Sequence, residues 1–261
     1  MSKTLVLSDI HFCRWSTTIE SIDQLQPLWQ GCDELVLNGD TAEMYSSKHA
    51  DESNELTQLL IKVATGDGVK TTLICGNHDP AISDVEHLWF WNKQVLVLHG
   101  HASFKGVAPW SWRSKHIAKS RDAELGINSD RIEEQLAAVK TASIKAATGA
   151  FANHRPNPLH MAMLGPAAVF HVLSSWWRFP TLTAKWADRF APSAKFIITG
   201  HTHHAGIWKR NGRTIINTGC FGFPSHPRAV LIDGETIIVY KIVKRDNQYS
   251  LGSLLQSWDA L

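Results

Sequence analysis

Thr4-Leu5-Val6-Leu7-Ser8-Asp9-Ile10-His11 opens the chain with an apolar β-run that ends in a carboxylate and an imidazole. The same grammar recurs downstream. Glu34–Leu37 leads into Gly39-Asp40-Thr41-Ala42-Glu43, Thr71–Cys75 into Gly76-Asn77-His78-Asp79, Val95–Leu98 into His99-Gly100-His101, and Lys195–Thr199 into Gly200-His201-Thr202-His203. The runs are β-branched and mostly lack polar alternation, the pattern of strands buried on both faces. In an open α/β sheet the carboxyl ends of such strands are where ligands bind, so residues remote in sequence can converge there. Hard oxygen and imidazole donors delivered together imply a metal centre. Seven candidate ligands stand out: Asp9, His11, Asp40, Asn77, His99, His201 and His203.

The chemistry expected of such a set is specific. One ion would take Asp9, His11 and His203, and the other Asn77, His99 and His201. Asp40 would bridge them, because a carboxylate has two oxygens to share. Two cations about 3.5–4 Å apart clamp an in-line displacement at phosphorus, and they turn bound water into a nucleophile, so no protein nucleophile is required.

D-x-H, G-D-x-x-E, G-N-H-D, H-G-H and G-H-T-H, in this order, resemble the calcineurin-like dinuclear metallophosphoesterases. The resemblance covers about residues 4–101 and 195–241. It implies a four-layer α/β/β/α sandwich, where the residues alone support a mixed sheet with flanking helices. It implies the metal assignment given above, with two divalent ions, Mn²⁺ first and Fe, Zn²⁺, Ni or Co as alternatives. It also implies that His78 is not a ligand but stands beside the leaving-group oxygen, to protonate it or stabilise its charge. Asp79, adjacent in sequence, is expected to hold the His78 tautomer. The second motif often ends in Asp in that family, and Glu43 replaces it here at a position that is usually not a ligand.

Elsewhere the chain predicts helices between the early strands. Thr17-Thr18-Ile19-Glu20 matches a capping box, followed by Ile19, Ile22 and Leu25 at helical spacing. Leu56, Leu59, Leu60 and Val63 form a second stripe with Gly66 as its C-cap. A short helix is expected near 84–91. Arg213–Asn217, Arg228–Ile232 and Thr236–Lys241 read as strands of a β-rich closing half, with Asp233-Gly234 as a turn.

Residues 102–194 differ in kind. They predict helices over Ser129–Lys145, with Ile132, Leu136 and Val139 inward, and from near Pro166, with Val169, Phe170, Leu173, Trp176 and Trp177 on one side. This segment reads as a helical insertion, a lid, within a single domain spanning 1–261. It carries 12 Lys and Arg against 6 Asp and Glu, whereas the remainder carries 14 against 18, so the basic part is hidden in a net charge of +2. It also holds Trp110, Trp112, Trp176, Trp177 and Trp186 of the eleven tryptophans. Such a stripe suits core packing, an acyl- or membrane-facing lid, or a protein interface. Arg113, Lys115, Arg155, Arg178 and Arg189 are candidates for phosphate contact.

A long helical insertion after an H-G-x motif, with Ile215-Ile216-Asn217-Thr218-Gly219 following the last histidines, is similar to the UDP-2,3-diacylglucosamine pyrophosphatase branch. The branch often has H-G-D where this chain has His99-Gly100-His101. The likeness implies hydrolysis of a nucleotide-linked glycolipid and peripheral contact with the inner face of a membrane. The alternatives are a soluble phosphodiesterase or phosphomonoesterase for a phosphorylated small molecule, and a metal-bearing interaction scaffold without catalysis. Nucleic acid is not an expected partner at a net charge of +2. No basic n-region with a cleavage site precedes the first strand, and no apolar run reaches the roughly 20 residues of a spanning helix, so the expected location is cytoplasmic. Cys13, Cys32, Cys75 and Cys220 form no C-x-x-C pair and read as reduced thiols.

Overall fold

The computed structural model describes residues 2–111, 113–125, 129–148, 158–223 and 226–259, with side chains from 169 onward in its longest helix. Trp112 and Arg155 lie outside the described residues. Two sheets face each other. The first runs β11-β10-β9-β1-β2-β3 and the second β4-β5-β6-β8-β7. In the first, β1 (Lys3–Leu7), β2 (Glu34–Asn38) and β3 (Lys70–Ile74) are parallel, and β9 (Arg228–Asp233) pairs antiparallel to β1. β10 (Thr236–Arg245) and β11 (Gln248–Asp259) extend that side as an antiparallel meander. In the second sheet, β5 (Val95–Leu98), β6 (Phe196–Thr199) and β8 (Arg213–Asn217) are parallel, flanked by β4 (His87–Phe90) and β7 (Gly206–Arg210).

Alternate residues of each central strand point into different cores, which is why these strands read as continuously apolar. Val6, Val36, Ile74, Val97, Ile198 and Ile216 meet between the sheets. Leu5, Leu7, Leu35 and Leu37 face outward onto Leu25, Leu28 and Trp29 around α1 (Gln26–Trp29) and Leu60 and Ala64 of α2 (Ala50–Gly66). Leu96, Leu98, Ile197 and Ile215 face the opposite way, onto Ile117 of α3 (Ser114–Glu124), Leu136 and Val139 of α4 (Ile132–Thr148), and Ala184 and Ala187 of α5 (Pro158–Phe190). The layers are α/β/β/α.

The expected insertion therefore divides by role. α3, α4 and the C-terminal half of α5 form the outer helical layer over the second sheet. In the middle of α5, Val169, Phe170, Leu173 and Trp177 are exposed, whereas Ser175 is buried and the Trp176 indole N–H donates to the Thr202 carbonyl. Trp186 is buried in that layer, whereas Trp177 is 86% exposed.

Three local expectations are overturned. Residues 17–25 do not form one helix: Thr17 makes a β-bridge with Gly222 and its hydroxyl donates to the Ile10 carbonyl. Ile19, Ile22 and Leu25 still reach the core, but from an irregular segment, and Pro27 starts a new helical turn instead of continuing one. His87–Phe90 is a strand, not a helix, because pairing with Val95–Leu98 satisfies its backbone. α5 runs from Pro158, not from Pro166. β7 and β11 are further strands that sequence patterning did not single out. All four cysteines are free.

Candidate metal centre

The ligand motifs occupy the turns that leave β1, β2, β3, β5 and β6 at one edge of the sandwich. Asp9, His11, Asp40, His201 and His203 all hold left-handed backbone, with φ of 53°, 52°, 52°, 71° and 56°. Non-glycine residues rarely adopt this region, and its concentration at one site marks strain held for geometry. The motif glycines make room. A Cβ on Gly200 would collide with the Asp9 carboxylate, and one on Gly76 with that of Asp40.

Three triads of donor atoms result, Asp9/His11/His203, Asp40/His99/His201 and, sharing His11, His11/Glu43/His78. His203 Nε2 lies 3.2 Å from Asp9 Oδ1, and His11 Nε2 lies 3.0 Å from His203 Nε2. Asp40 Oδ2 stands between the groups, 3.7 Å from His11 Nε2 and 3.2 Å from His99 Nε2. Asn77 borders the same cleft, and its Oδ1 is buried without a hydrogen-bond partner. His201 Nδ1 is likewise buried and unpartnered, and His99 Nε2 is buried with the Asp40 carboxylate beside it. Buried acceptors such as Asn77 Oδ1 and His201 Nδ1 are unfavourable without a partner unless something positive sits among them. The outward nitrogens are fixed, as metal-binding imidazoles require. His99 Nδ1 donates to the Asn38 carbonyl at 2.9 Å, His201 Nε2 to the Val107 carbonyl at 3.0 Å, and His11 Nδ1 to Glu43 Oε1 at 2.8 Å. The donor set thus fits divalent ions.

The field points the same way. Burial opposes charge on His99, but the Asp40 carboxylate outweighs it and lifts the imidazole to about 9. Burial likewise opposes charge on His203, and its hydrogen bond to Asp9 carries it up to about 10. Burial pushes His201 down to about 3 and His11 to about 4. Two carboxylates at this edge draw positive charge, and the imidazoles share it unequally.

His78 and Asp79 part company. His78 Nδ1 donates to Glu43 Oε2 at 2.8 Å, so Glu43, and not Asp79, holds its tautomer. Burial opposes charge on His78, but Asp40 and Glu43 together raise its pKa. Asp79 is fully buried and turned away. Its carboxylate accepts the backbone N–H groups of Asp40, Thr41, Ala42 and Gly76 at 2.7–3.2 Å. It ties the β2 and β3 turns together, a correction to the role that adjacency suggested. His101 is buried 5.3 Å from His99, ring to ring, with no hydrogen-bond partner for its Nδ1.

A two-lobed cleft opens over the centre. Both lobes share Arg14, Asn77, His78, Ala108 and Trp110. One, of about 260 Å³, is walled by Trp15, Val172, Trp176 and Phe223. The other, of about 560 Å³, is lined by Tyr45, Ser46, Ser111, Arg113 and Ser143. Among the described residues, Arg113 is the basic candidate that reaches either lobe. Arg14, which contacts Glu43 at 3.4 Å, was not among them, although it follows the first motif by three residues. Trp110 and Val107 enter the site from the segment after His99-Gly100-His101, where no motif announces them.

A two-sheet sandwich with this donor set at its strand ends defines a metal-dependent phosphoesterase. The family model for calcineurin-like phosphoesterases matches residues 2–205, and the chain belongs to that family. Its members carry a dinuclear divalent metal centre, for which this chain holds the candidate ligand groups. Similar solved structures include vacuolar protein sorting 29 from Cryptosporidium parvum, at 11% identity and TM-score 0.47, covering 99% of this chain and 98% of that one. A phosphoesterase from E. coli gives 12% identity and TM-score 0.47, covering 99% and 100%. A dimetal phosphatase from Danio rerio gives 9% and 0.47, covering 91% and 95%. No curated protein matches the sequence.

Proposed function

We propose that the protein hydrolyses the phosphodiester or pyrophosphate of an amphiphilic substrate, with a UDP-2,3-diacylglucosamine-like nucleotide glycolipid as the class that best fills the site. The two-lobed cleft carries this reading. An aromatic lobe meets a lobe of mixed lining, with Ser46, Ser111, Arg113 and Ser143 beside Val107, Ile117 and Ala146, at Asn77 and His78 above the buried Asp40. A phosphorus there would have an apolar substituent in one lobe and, in the other, one with polar groups for Arg113 and the serines. The outer lip of the aromatic lobe is itself apolar. Trp15 is 87% exposed and Phe223 74%, and Val169, Phe170, Leu173 and Trp177 form an exposed stripe beside Val172 and Trp176. A contiguous aromatic patch of this kind suits an acyl chain or a lipid interface better than water. No helix among the described residues is long and apolar enough to cross a membrane, and in this proposal the exposed stripe makes a peripheral contact at the cytoplasmic face.

One ion would be held by Asp9, His11 and His203 and the other by Asn77, His99 and His201, with Asp40 between them and Mn²⁺ as the first metal to test. When bound, the ions supply Lewis acidity and hydroxide at neutral pH. The protein supplies the rest. Glu43 keeps the His78 Nδ1 protonated, which leaves Nε2 to meet the leaving-group oxygen. Arg14 at the junction of the lobes offers a guanidinium to a phosphoryl oxygen.

The test compares turnover of vesicle-borne UDP-2,3-diacylglucosamine with that of a bis-aryl phosphodiester in the metal-loaded enzyme. Lipid turnover is expected to dominate, and equal or absent lipid turnover rejects the substrate class. Phe170→Gln with Trp177→Gln should lower lipid turnover by about ten-fold or more, given about 1.5–3 kcal/mol for burying a large apolar side chain. Turnover of the aryl diester should not change. His78→Ala should abolish both activities with metal content intact.

A further inference from the structure

We propose that a second pocket at the same edge, lined by His204, Arg228 and Lys241, binds a phosphate group separately from the metal centre. The cavity is about 370 Å³ and has Leu255 on one side and no carboxylate in its lining. Arg228 and Lys241 are direct partners in the antiparallel register of β9 and β10, so their side chains leave the same face of the sheet. Like charges directly opposite one another destabilise a sheet. Nothing among the described residues offsets them, since neither side chain has a hydrogen-bond or ion-pair partner there. Other part-buried cations do. Arg14 meets Glu43, Lys140 meets Asp84 and the Ser83 carbonyl, and Arg213 meets Asp188. Arg228 is half-buried, and burial alone, with no carboxylate to counter it, pulls its guanidinium below the usual range.

An oxyanion supplies what is missing. A guanidinium fork and an ammonium on one face match the oxygens of a phosphate, and His204 adds an imidazole edge. The volume exceeds a bare phosphate and admits a small phosphate monoester. The pocket is distinct from the cleft but touches its wall. His204 stacks on Trp176 with ring centroids 4.8 Å apart, and Trp176 lines the aromatic lobe while its indole N–H donates to the Thr202 carbonyl at 2.8 Å. This proposal does not rest on the substrate class proposed above.

The test is calorimetric titration of the metal-loaded enzyme with inorganic phosphate, repeated on Arg228→Gln and Lys241→Gln. The wild type is expected to take up phosphate at two kinds of site, the metal centre and this pocket. Each variant should lose about ten-fold or more at the second site only, the effect of removing one charge-assisted hydrogen bond. Phosphate-free hydrolysis of the aryl diester should be unchanged in both. Lys241→Gln removes an exposed member of the like-charged pair, so its phosphate-free melting temperature should equal or exceed that of the wild type, and phosphate should raise it less. A parallel arm uses vesicles of phosphatidic acid against phosphatidylcholine. Loss of vesicle binding in the variants identifies a lipid phosphate, and loss of soluble phosphate alone identifies a free one. Binding of both probes at wild-type strength by both variants overturns the proposal.

Discussion

Glu43→Gln separates two jobs that one carboxylate performs. Oε1 accepts from His11 and Oε2 from His78, each at 2.8 Å, so both imidazoles are held with their Nε2 atoms turned inward. An amide keeps one acceptor and turns the other into a donor, and one histidine must lose its partner. His11 is the more enclosed of the two and also meets Asp9, Asp40 and His203, so His78 is the one expected to be released. A hydrogen bond between charged groups is worth about 1.5–3 kcal/mol, which corresponds to about 1–2 pKa units on His78. His78 acts as an acid in its protonated form, present below its pKa and lost as pH rises through it. The fall in kcat/KM at high pH should therefore move down by about 1–2 units in the variant, with about 10–100-fold lower activity between the two limbs. The assay is kcat/KM against pH on an aryl diester at saturating metal, with bound metal measured by elemental analysis. Metal content should persist in Glu43→Gln and fall in Glu43→Ala, where His11 also loses its partner. A Glu43→Gln enzyme with an unmoved limb and activity within two-fold of wild type would refute the reasoning.

Two further outcomes follow from the same structure. Without metal, His99 and His203 hold protons up to about 9 and about 10, and each must release one to bind an ion. Affinity at each ion should therefore rise about ten-fold per pH unit from pH 7 to 9, with proton release visible as heats that depend on buffer ionisation, and a flat profile counts against these two residues as ligands. Leu136→Ala, in the buried face of α4, should cost about 2–5 kcal/mol in urea unfolding within one cooperative transition, whereas a change below about 1 kcal/mol would show that α4 is not part of the core.

The ligand edge was legible because its signal is a repeat: an apolar strand, then a turn bearing a donor. That regularity survives without knowledge of tertiary contacts, and it located the parallel strands as well. What failed had no such local signature. Glu43 and Asp79 are equivalent on paper as partners for His78, and only the direction of each side chain decides between them. His87-Leu88-Trp89-Phe90 has no helical stripe of its own, and pairing with β5 settles its state. β11 is an edge strand interrupted by three Ser, two Gln and one Gly, and its ladder to β10 compensates for weak patterning. The split in residues 102–194 was hidden for a related reason. Helical spacing marks an apolar face, but not whether a sheet or the solvent lies opposite, and α5 presents both along one axis.

Asp79 shows how the site is maintained against its own cost. Burial first, and then the negative charge of Asp40, raise its carboxyl to about 6. Its folded pKa lies above the ordinary 3.8, so the folded state binds the proton more tightly than the unfolded chain. This group therefore favours folding most at low pH, and the benefit is lost as pH rises through 6. Ionised at neutral pH, it costs about 3 kcal/mol relative to the unfolded chain. The left-handed backbone at five ligands adds about 1–3 kcal/mol at each. In return Asp79 holds four amide N–H groups of the β2 and β3 turns, which fixes the direction of Asp40 and Asn77. The ligand turns are also anchored in the apolar cores, since Ile10 and Phe12 of the first turn and Val107, whose carbonyl meets His201, are buried in them. The ligand turns lean on the sandwich, and cations bound among their carboxylates and imidazoles would return part of the stability they forgo.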